Sequence, residues 1–191
     1  MKKRPVKSLK DYALRIDKLI SELDYEAIGD VVKCLCEARR RYSTIFFAGN
    51  GGSAATASHF AQDLAALGKK TGKRGFMAIS LTDNLPAITA SANDYGYDNI
   101  FTAQMRELFK KNDVLVAISA SGVSPNVVKA AELAKRSGGI TVCLVGFDGG
   151  RLAKMCDHCV HVRTGQGEYG PVEDIHMILD HMITAYLCEN L

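Results

Sequence analysis

The 191-residue sequence has no strong excess of charge, no long apolar run and no repeated or low-complexity segment. Its formal net charge is only +3, which is too small to predict a nucleic-acid partner. No apolar run approaches the roughly 20 residues that a helix needs to cross a bilayer. The bases Lys2, Lys3, Arg4, Lys7 and Lys10 precede no apolar core of a signal peptide. They predict a frayed, solvated tail, with a functional basic arm as the alternative. These absences predict a cytoplasmic protein that binds neither nucleic acid nor membrane.

The six cysteines do not form the pattern of a disulfide framework, because they are spread through apolar or helical contexts. Cys156 and Cys159 do have the C-x-x-C spacing of metal and redox sites. No second pair lies near them in the sequence, and the segment leads into a predicted strand. Buried and unreactive thiols are therefore the favoured interpretation, with a metal or redox site as the alternative.

With 47% hydrophobic and 24% charged residues, the chain can build a core of its own, and its length suits a single domain over residues 1–191. Short apolar runs alternate with helical patterns, which predicts an α/β fold: a doubly wound, five-stranded parallel sheet of flavodoxin-like order. The predicted strands are 45–48, 76–81, 114–119, 141–145 and 159–162. The predicted helices between and after them are 54–67, 85–92, 100–109, 125–137, 150–156 and about 172–191.

An additional helical segment, about 8–41, precedes the first strand. Its apolar residues recur at three- and four-residue spacing, and Asp24 or Asp30 is a candidate cap for a second helix within it. Two such helices are more than the sheet needs for cover. They pack either on this sheet or against another copy of the protein.

A glycine-rich loop follows the first predicted strand and opens a helix. It contains Asn50, Gly51, Gly52 and Ser53. The loop lacks the glycine spacing of a dinucleotide fingerprint and the Lys-Ser/Thr pair of a Walker A motif. A helix N-terminus presents unpaired N–H groups to an anion, and glycine permits close approach. The sequence therefore predicts a phosphate site here.

A second loop of this kind follows the third predicted strand. Ser119, Ser121 and Ser124 surround Gly122, and Pro125 stands where a helix would begin. Hydroxyl and N–H groups in this arrangement can encircle a phosphate. Ser124 alone could be a helix cap, but three serines with a glycine favour phosphate binding.

A third polar cluster, which contains Asn93 and Asp94, is predicted to follow the helix after the second strand. The aspartate could bind sugar hydroxyls, and an ordinary Asx turn is the alternative.

Two pairs of candidate metal ligands lie on predicted helices. His59 and Asp63 are four residues apart and share one helix face, and Glu173 and His181 are eight apart on the last helix. Together they would make a nitrogen–oxygen site for zinc or a similar divalent ion. The alternative is a surface helix with salt bridges. His176 projects to a different side from His181.

The motifs together resemble the SIS (sugar isomerase) domain family, closest to its phosphoheptose isomerase branch. The segments that carry the resemblance are Gly49-Asn50-Gly51-Gly52-Ser53-Ala54, His59 with Asp63, Asn93-Asp94-Tyr95-Gly96-Tyr97, Ser119-x-Ser121-Gly122-x-Ser124-Pro125-Asn126, and Glu173-Asp174-Ile175-His176 with His181. They occur in the family's order from the N-terminal helices to the C-terminus.

The resemblance implies a homotetramer with active sites between subunits, and one divalent ion, zinc in some members, in each subunit. It also implies that the two loops hold a sugar phosphate. In the family, a Glu on the first helix and a His on the last transfer protons, and a His and a Gln complete the metal site. In this chain the Glu position is Asp63 and the Gln position is Glu173, while His59 and His181 are retained.

The two departures lead to a hypothesis. Asp63 is one methylene shorter than the family's Glu, and a general base must come within about 3 Å of its proton. Glu173 replaces a neutral amide with a carboxylate. We expect that metal binding survives and that proton transfer shifts toward Glu173, with Asp63 and His181 as the other candidate catalytic residues.

The predicted function is the aldose–ketose isomerisation of sedoheptulose 7-phosphate to D-glycero-D-manno-heptose 7-phosphate through an enediol, in heptose synthesis for surface polysaccharide. The alternative is a non-catalytic protein that binds a sugar phosphate, either a sensor or a replication-initiator-associating regulator. A deaminating or glutamine-dependent sugar enzyme would need a second SIS domain and an amidotransferase segment, which the sequence lacks.

Overall fold

The computed structural model describes the backbone of residues 5–191 and the side chains from residue 7 onward. Of the predicted tail, Lys2, Lys3 and Arg4 lie outside the described part, whereas Lys7 and Lys10 belong to the first helix and not to a frayed segment. The helices are α1 Pro5–Ser21, α2 Tyr25–Arg41, α3 Gly52–Thr71, α4 Leu85–Tyr95, α5 Ile100–Leu108, α6 Pro125–Arg136, α7 Leu152–Met155 and α8 Tyr169–Asn190. The strands are β1 Thr44–Gly49, β2 Met77–Ser80, β3 Val114–Ser119, β4 Ile140–Val145 and β5 His158–His161. No described helix is long and apolar enough to cross a membrane.

The five strands form one parallel sheet in the order β2-β1-β3-β4-β5. This is the predicted flavodoxin-like order, so the α/β fold class is confirmed. The chain reverses direction across the sheet between β1 and β3, and the loops that follow these two strands therefore lie side by side. These are the two loops that the sequence predicts to bind phosphate.

Apolar side chains fill both faces of the sheet. Successive strand residues point to opposite faces, so Phe47 packs with α2, α3 and α8 on one side while Phe46 packs with α5 and α6 on the other. The strands β1, β3 and β4 are buried almost throughout. This double burial explains why they read as continuous apolar runs.

The two N-terminal helices have different surroundings. Asp24 caps α2, its carboxylate accepting a hydrogen bond from the Ala27 N–H at 3.0 Å, and α2 covers the sheet near β1 and β5. Helix α1 packs instead on α8, where Tyr12 donates to Asp174 at 2.5 Å and Arg15 pairs with Glu168 at 3.0 Å. Helix α2 is therefore explained by its packing on this sheet. Packing of the N-terminal helices against another copy of the protein stays a prediction.

Several predicted boundaries differ from those observed. Helix α3 begins two residues earlier than predicted, because Gly52 and Ser53 of the loop already form its first turn. Helix α4 extends to Tyr95, so Asn93 and Asp94 lie in its last turn and not after it. The predicted helix 150–156 shortens to the single turn of α7.

All six cysteines are free thiols, as the sequence predicts, but they are not all buried: Cys34 and Cys143 are buried, whereas Cys188 is exposed. Asp157 gives the C-x-x-C segment a structural role. Its carboxylate accepts hydrogen bonds from the Thr141 N–H at 2.9 Å and from the Thr141 hydroxyl at 2.8 Å, and it pairs with Lys135. These bonds fasten the start of β4 to the start of β5.

Candidate active site

The loop after β1 turns sharply into α3. Gly51 has a φ of 55°, a positive value that favours glycine, and the next residue already begins the helix. Ser53, in the first turn, is only 4% exposed. The N–H groups of this turn are the ones that an α-helix leaves without internal partners, so the loop presents donors suited to an anion.

A pair of amides joins this loop to the start of α6. The Asn50 side-chain amide donates to the Asn126 Oδ1 at 2.9 Å, and the Asn126 amide donates back to the Asn50 Oδ1 at 2.8 Å. Tyr97 also donates its hydroxyl to the Asn50 oxygen at 2.9 Å. Asn126 is 1% exposed, so this reciprocal pair is a buried contact that fixes the two loops relative to each other.

The serines of the second loop face one another. The Ser119 Oγ lies 3.1 Å from the Ser124 Oγ and 3.5 Å from the Ser121 Oγ. Ser124 stands at the N-cap position of α6, yet its side chain makes no capping hydrogen bond. Helix capping therefore does not account for Ser124, and its hydroxyl is turned toward the other two.

A cavity of about 120 Å³ lies between the two loops. Its polar lining consists of Asn50, Ser53, Ser119, Ser121, Ser124, Tyr169 and Glu173. Hydroxyl and amide groups thus surround a space that a single carboxylate also faces. The structure brings together most of the residues that the sequence predicts to bind phosphate, and their role as ligands stays a prediction.

Glu173 reaches this cavity from the first turns of α8. Its carboxylate lies so close to Gly52 that a Cβ at that position would collide with it. Burial, with a smaller contribution from Asp174, raises the pKa of the Glu173 carboxyl above its ordinary value. A carboxylate with a raised pKa is a stronger proton acceptor, which suits a general base.

Asn93 and Asp94 do not line this cavity. Asn93 donates to the Asp94 carboxylate at 2.9 Å, and both side chains are solvent-exposed on α4. Of this polar cluster, Tyr97 makes the connection to the site through Asn50. Sugar binding by Asn93 and Asp94 stays a prediction.

Two histidines meet where α3 and α8 pack together. The Nε2 atoms of His59 and His181 lie 3.2 Å apart, and the rings contact edge to face. The Asp63 Oδ2 lies 3.5 Å from the His59 Nε2. Three of the four predicted metal ligands therefore lie together, although they come from helices more than 100 residues apart in sequence.

The fourth member of this cluster is Asp180, a residue that the sequence analysis did not assign to the site. One ligand atom from each of His59, Asp63, Asp180 and His181 lies within 4.8 Å of the others. Asp180 is fully buried, and its carboxylate oxygens have no hydrogen-bond partner among the described residues. Burial, and secondarily the charge of Asp63, raises the pKa of the Asp180 carboxyl to about 7.

The predicted ligand Glu173 is not part of this cluster, since it lies at Gly52 and the cavity between the loops. His176 is fully buried, and its burial lowers the pKa of the imidazole to about 4, so the ring is neutral at physiological pH. Asp180 directly precedes His181 in the sequence, and this position is the signal that could have assigned it to the site. The burial of Asp180, however, cannot be predicted from residue spacing.

The donors of the four-residue cluster fit a divalent transition-metal ion. Two zinc ligands at about 2.0–2.1 Å in a tetrahedral site stand roughly 3.3 Å apart, which matches the separation of the two histidine nitrogens. Two carboxylates would cancel the charge of one divalent ion. Imidazole and carboxylate ligands suit zinc, iron and manganese.

Comparison with known proteins gives consistent matches. The SIS domain family matches residues 10–146. A phosphoheptose isomerase of a Nitratiruptor species is 36% identical over 184 residues, which is 96% of this chain and 96% of that protein. A phosphoheptose isomerase of Helicobacter pylori is 39% identical over 158 residues, 83% of this chain and 81% of that protein. The structure of phosphoheptose isomerase GmhA from Neisseria gonorrhoeae has a TM-score of 0.84 at 30% identity, with 97% of each chain covered.

Proposed function

The chain belongs to the SIS domain family, and on this premise we propose that it is a phosphosugar isomerase. It converts sedoheptulose 7-phosphate to D-glycero-D-manno-heptose 7-phosphate through an enediol. The phosphoheptose isomerases that it matches cover nearly its whole length, which supports this substrate over other sugar phosphates. The product would serve heptose synthesis for lipopolysaccharide or capsule.

The observation that carries this proposal is the cavity between the two loops, where serine hydroxyls and one half-buried carboxylate face the same space. Asn50, Gly51, Gly52 and Ser53 would bind the phosphate from one side. Ser119, Ser121 and Ser124 would bind it from the other. A phosphate at the far end of a seven-carbon chain does not react, so its binding serves to position the carbons that do.

Isomerisation requires a base that accepts a proton from the carbon beside the carbonyl and returns it to the neighbouring carbon. Glu173 is the candidate base, because its carboxylate faces the cavity and has a raised pKa. His181 is the candidate acid for the carbonyl oxygen or, in the alternative, a ligand of the metal. Asp63 is the second candidate base, and its shorter side chain limits its reach.

A divalent ion, with zinc as the proposed identity, would be held by His59, Asp63 and His181, whose ligand atoms lie together. When bound, such an ion acts as a Lewis acid that stabilises the developing charge on the enediolate oxygen. The assignment of Glu173 as a further ligand stays a prediction from the family's Gln position.

We further propose that residues 1–191 form one SIS domain, that the protein is a homotetramer and that it is cytoplasmic. Sheet strand β5 and helix α8 lie beyond the matched residues 10–146 yet belong to the same folded unit, which supports a single domain. The six free thiols are in keeping with a reducing compartment.

The alternative, a sugar-phosphate sensor without activity, would have no need of a metal cluster or of a base in the cavity. His59, Asp63, Asp180 and His181 form such a cluster, and Glu173 faces the cavity. These groups favour the enzyme.

The test is to incubate the purified protein with sedoheptulose 7-phosphate, with and without zinc, and to follow its conversion to heptose 7-phosphate. The control is the His181→Ala variant, which keeps the phosphate loops and should lose at least 100-fold in kcat. Absence of turnover by the wild type, together with tight binding of the sugar phosphate, would instead support the sensor.

A further inference from the structure

A buried carboxylate without a hydrogen-bond partner adjoins the two histidines. Asp180 is 0% exposed, and neither of its oxygens accepts a hydrogen bond from the described residues. An ionised carboxylate in this position is costly unless a positive charge compensates it. In the part of the chain that the structure describes, no lysine or arginine donates to this carboxylate.

The neighbours of Asp180 increase this cost and also indicate what relieves it. Asp63 is a second carboxylate, and its ligand atom lies within 4.8 Å of that of Asp180. Two carboxylates at such a distance repel each other. His59 and His181 point nitrogen atoms at the same place. A divalent cation between the four groups would compensate both acids and use both nitrogens.

The carboxylates of Glu173 and Asp180 lie on the same helix but face different parts of the site. Glu173 precedes Asp180 by seven residues, about two turns of α8, and its carboxylate is turned toward Gly52 and the serine loop. The two carboxylates of this helix thus contact different groups. One faces the substrate cavity, and the other faces the histidines.

We propose that Asp180 is a ligand of the divalent ion, which two imidazoles and two carboxylates would then hold, while Glu173 is left free to face the substrate. This inference rests on the metal site of the proposed function. It assigns to Asp180 the place that the sequence analysis gave to Glu173.

The test uses the metal-free full-length protein, titrated with Zn²⁺ by calorimetry and with Co²⁺ by visible absorption. Asp180→Asn should weaken the binding of both ions at least tenfold and alter the Co²⁺ ligand-field bands. Asp174→Asn removes the same charge from the same helix outside the cluster, and it should bind within threefold of the wild type. Glu173→Ala, which removes every donor atom of this side chain, should also bind within threefold.

Wild-type affinity in Asp180→Asn would overturn the assignment of Asp180 as a ligand. A tenfold loss of affinity in Glu173→Ala would show that Glu173 is a ligand too. If Asp180→Asn does not fold, a crystal structure of the wild type with Zn²⁺ decides. An Asp180 oxygen at about 2.0–2.2 Å from the ion supports the proposal, and an ion beyond reach of Asp180 overturns it.

The assay of sedoheptulose 7-phosphate conversion separates this inference from the proposed function. An active wild type whose metal affinity does not depend on Asp180 would overturn the inference alone. An inactive wild type that loses metal on Asp180→Asn would overturn the proposed function alone.

Discussion

At the scale of single residues, the two departures from the family pattern lie in different surroundings. Asp63 is in the histidine cluster, 3.5 Å from His59, whereas Glu173 lies against Gly52 at the start of α3. A shortened acid beside the proposed metal site and an added acid beside the proposed phosphate loops are consistent with a transfer of the base function from α3 to α8.

The first prediction concerns Glu173 itself. Glu173→Gln removes the proton acceptor but keeps the size of the side chain, so kcat should fall by about 10²–10⁴-fold with little change in KM. The measurement is steady-state kinetics with sedoheptulose 7-phosphate at saturating zinc. Asp174→Asn is the matched control and should keep activity, because the Asp174 carboxylate accepts a hydrogen bond from Tyr12 and does not line the cavity. Unchanged kcat in Glu173→Gln would show that the base is another residue.

The second prediction concerns the glycine under Glu173. Gly52→Ala should lower kcat at least tenfold, because the new methyl group would displace the Glu173 carboxylate. Its stability should change little, since Gly52 is helical and does not need a positive φ. Kinetics and urea unfolding on the same sample separate the two effects.

Gly29→Ala is the control for Gly52→Ala. Gly29 lies within α2, and nothing stands within 4 Å of the position of an added Cβ. Because Gly29 lines the apolar pocket between α2 and α8, light scattering must first show that the mass of the variant is unchanged. The variant should then be more stable by about 0.5–1 kcal/mol at unchanged activity. Full activity in Gly52→Ala would contradict the position of Glu173.

The sequence predicts those site residues that a local motif identifies. It does not predict residues whose place in the site depends on how the helices pack together. The serines of both loops follow from their position after strands, and His59 with Asp63 from helical spacing. Asp180 does not follow from these rules. Its importance comes from burial and from the lack of a partner among the described residues, which depend on the packing of α8 against α3.

At the scale of elements, the site depends on the relative position of two helix N-termini, those of α3 and α6. The loops before them are joined by the amide pair of Asn50 and Asn126 and by the hydroxyl of Tyr97. Rigid attachment of one loop to the other fixes the spacing of the groups that would bind the phosphate.

The third prediction tests this attachment. Asn126→Ala leaves the Asn50 amide without its buried partner, so the free energy of unfolding should fall by about 1–3 kcal/mol. The KM for the sugar phosphate should rise severalfold as the loop before α3 loosens. Urea unfolding and kinetics measure the two effects.

Asn84→Ala is the control for Asn126→Ala, because Asn84 caps α4 through the Ala87 N–H and lies outside the cavity between the loops. It should lose about 1 kcal/mol of stability at an unchanged KM. An unchanged KM in Asn126→Ala as well would mean that the amide pair stabilises the fold without shaping the site.

The element order was predictable because each buried strand is a short apolar run and each connection is a helix. The boundaries of the helices were less predictable than their order. The first turn of α3 consists of Gly52 and Ser53, which propensity alone assigns to a loop. The positive φ of Gly51 turns the chain directly into the helix at Gly52, and residue spacing does not indicate this turn.

At the scale of the whole molecule, the outer side of α2 and α8 has an unusual apolar character. A pocket of about 440 Å³ lies between these helices and is lined by Tyr25, Ile28, Gly29, Val32, Lys33, Met182, Ile183 and Tyr186. Tyr25 and Tyr186 are each more than half exposed. Exposed apolar patches of this kind mark contact surfaces, and the proposed homotetramer supplies a partner for this one.

The fourth prediction is that the protein forms a homotetramer through this surface. Four copies of the 20.7 kDa chain give a mass of about 83 kDa, which light scattering after size exclusion measures directly. Met182→Glu places a charge in the apolar pocket and should shift the mass toward a smaller assembly. Lys154→Glu changes the charge of an exposed residue on α7, away from the pocket, and should leave the mass unchanged. A wild-type mass of 20.7 kDa would contradict the tetramer, and an unchanged mass in Met182→Glu would place the contact elsewhere on the molecule.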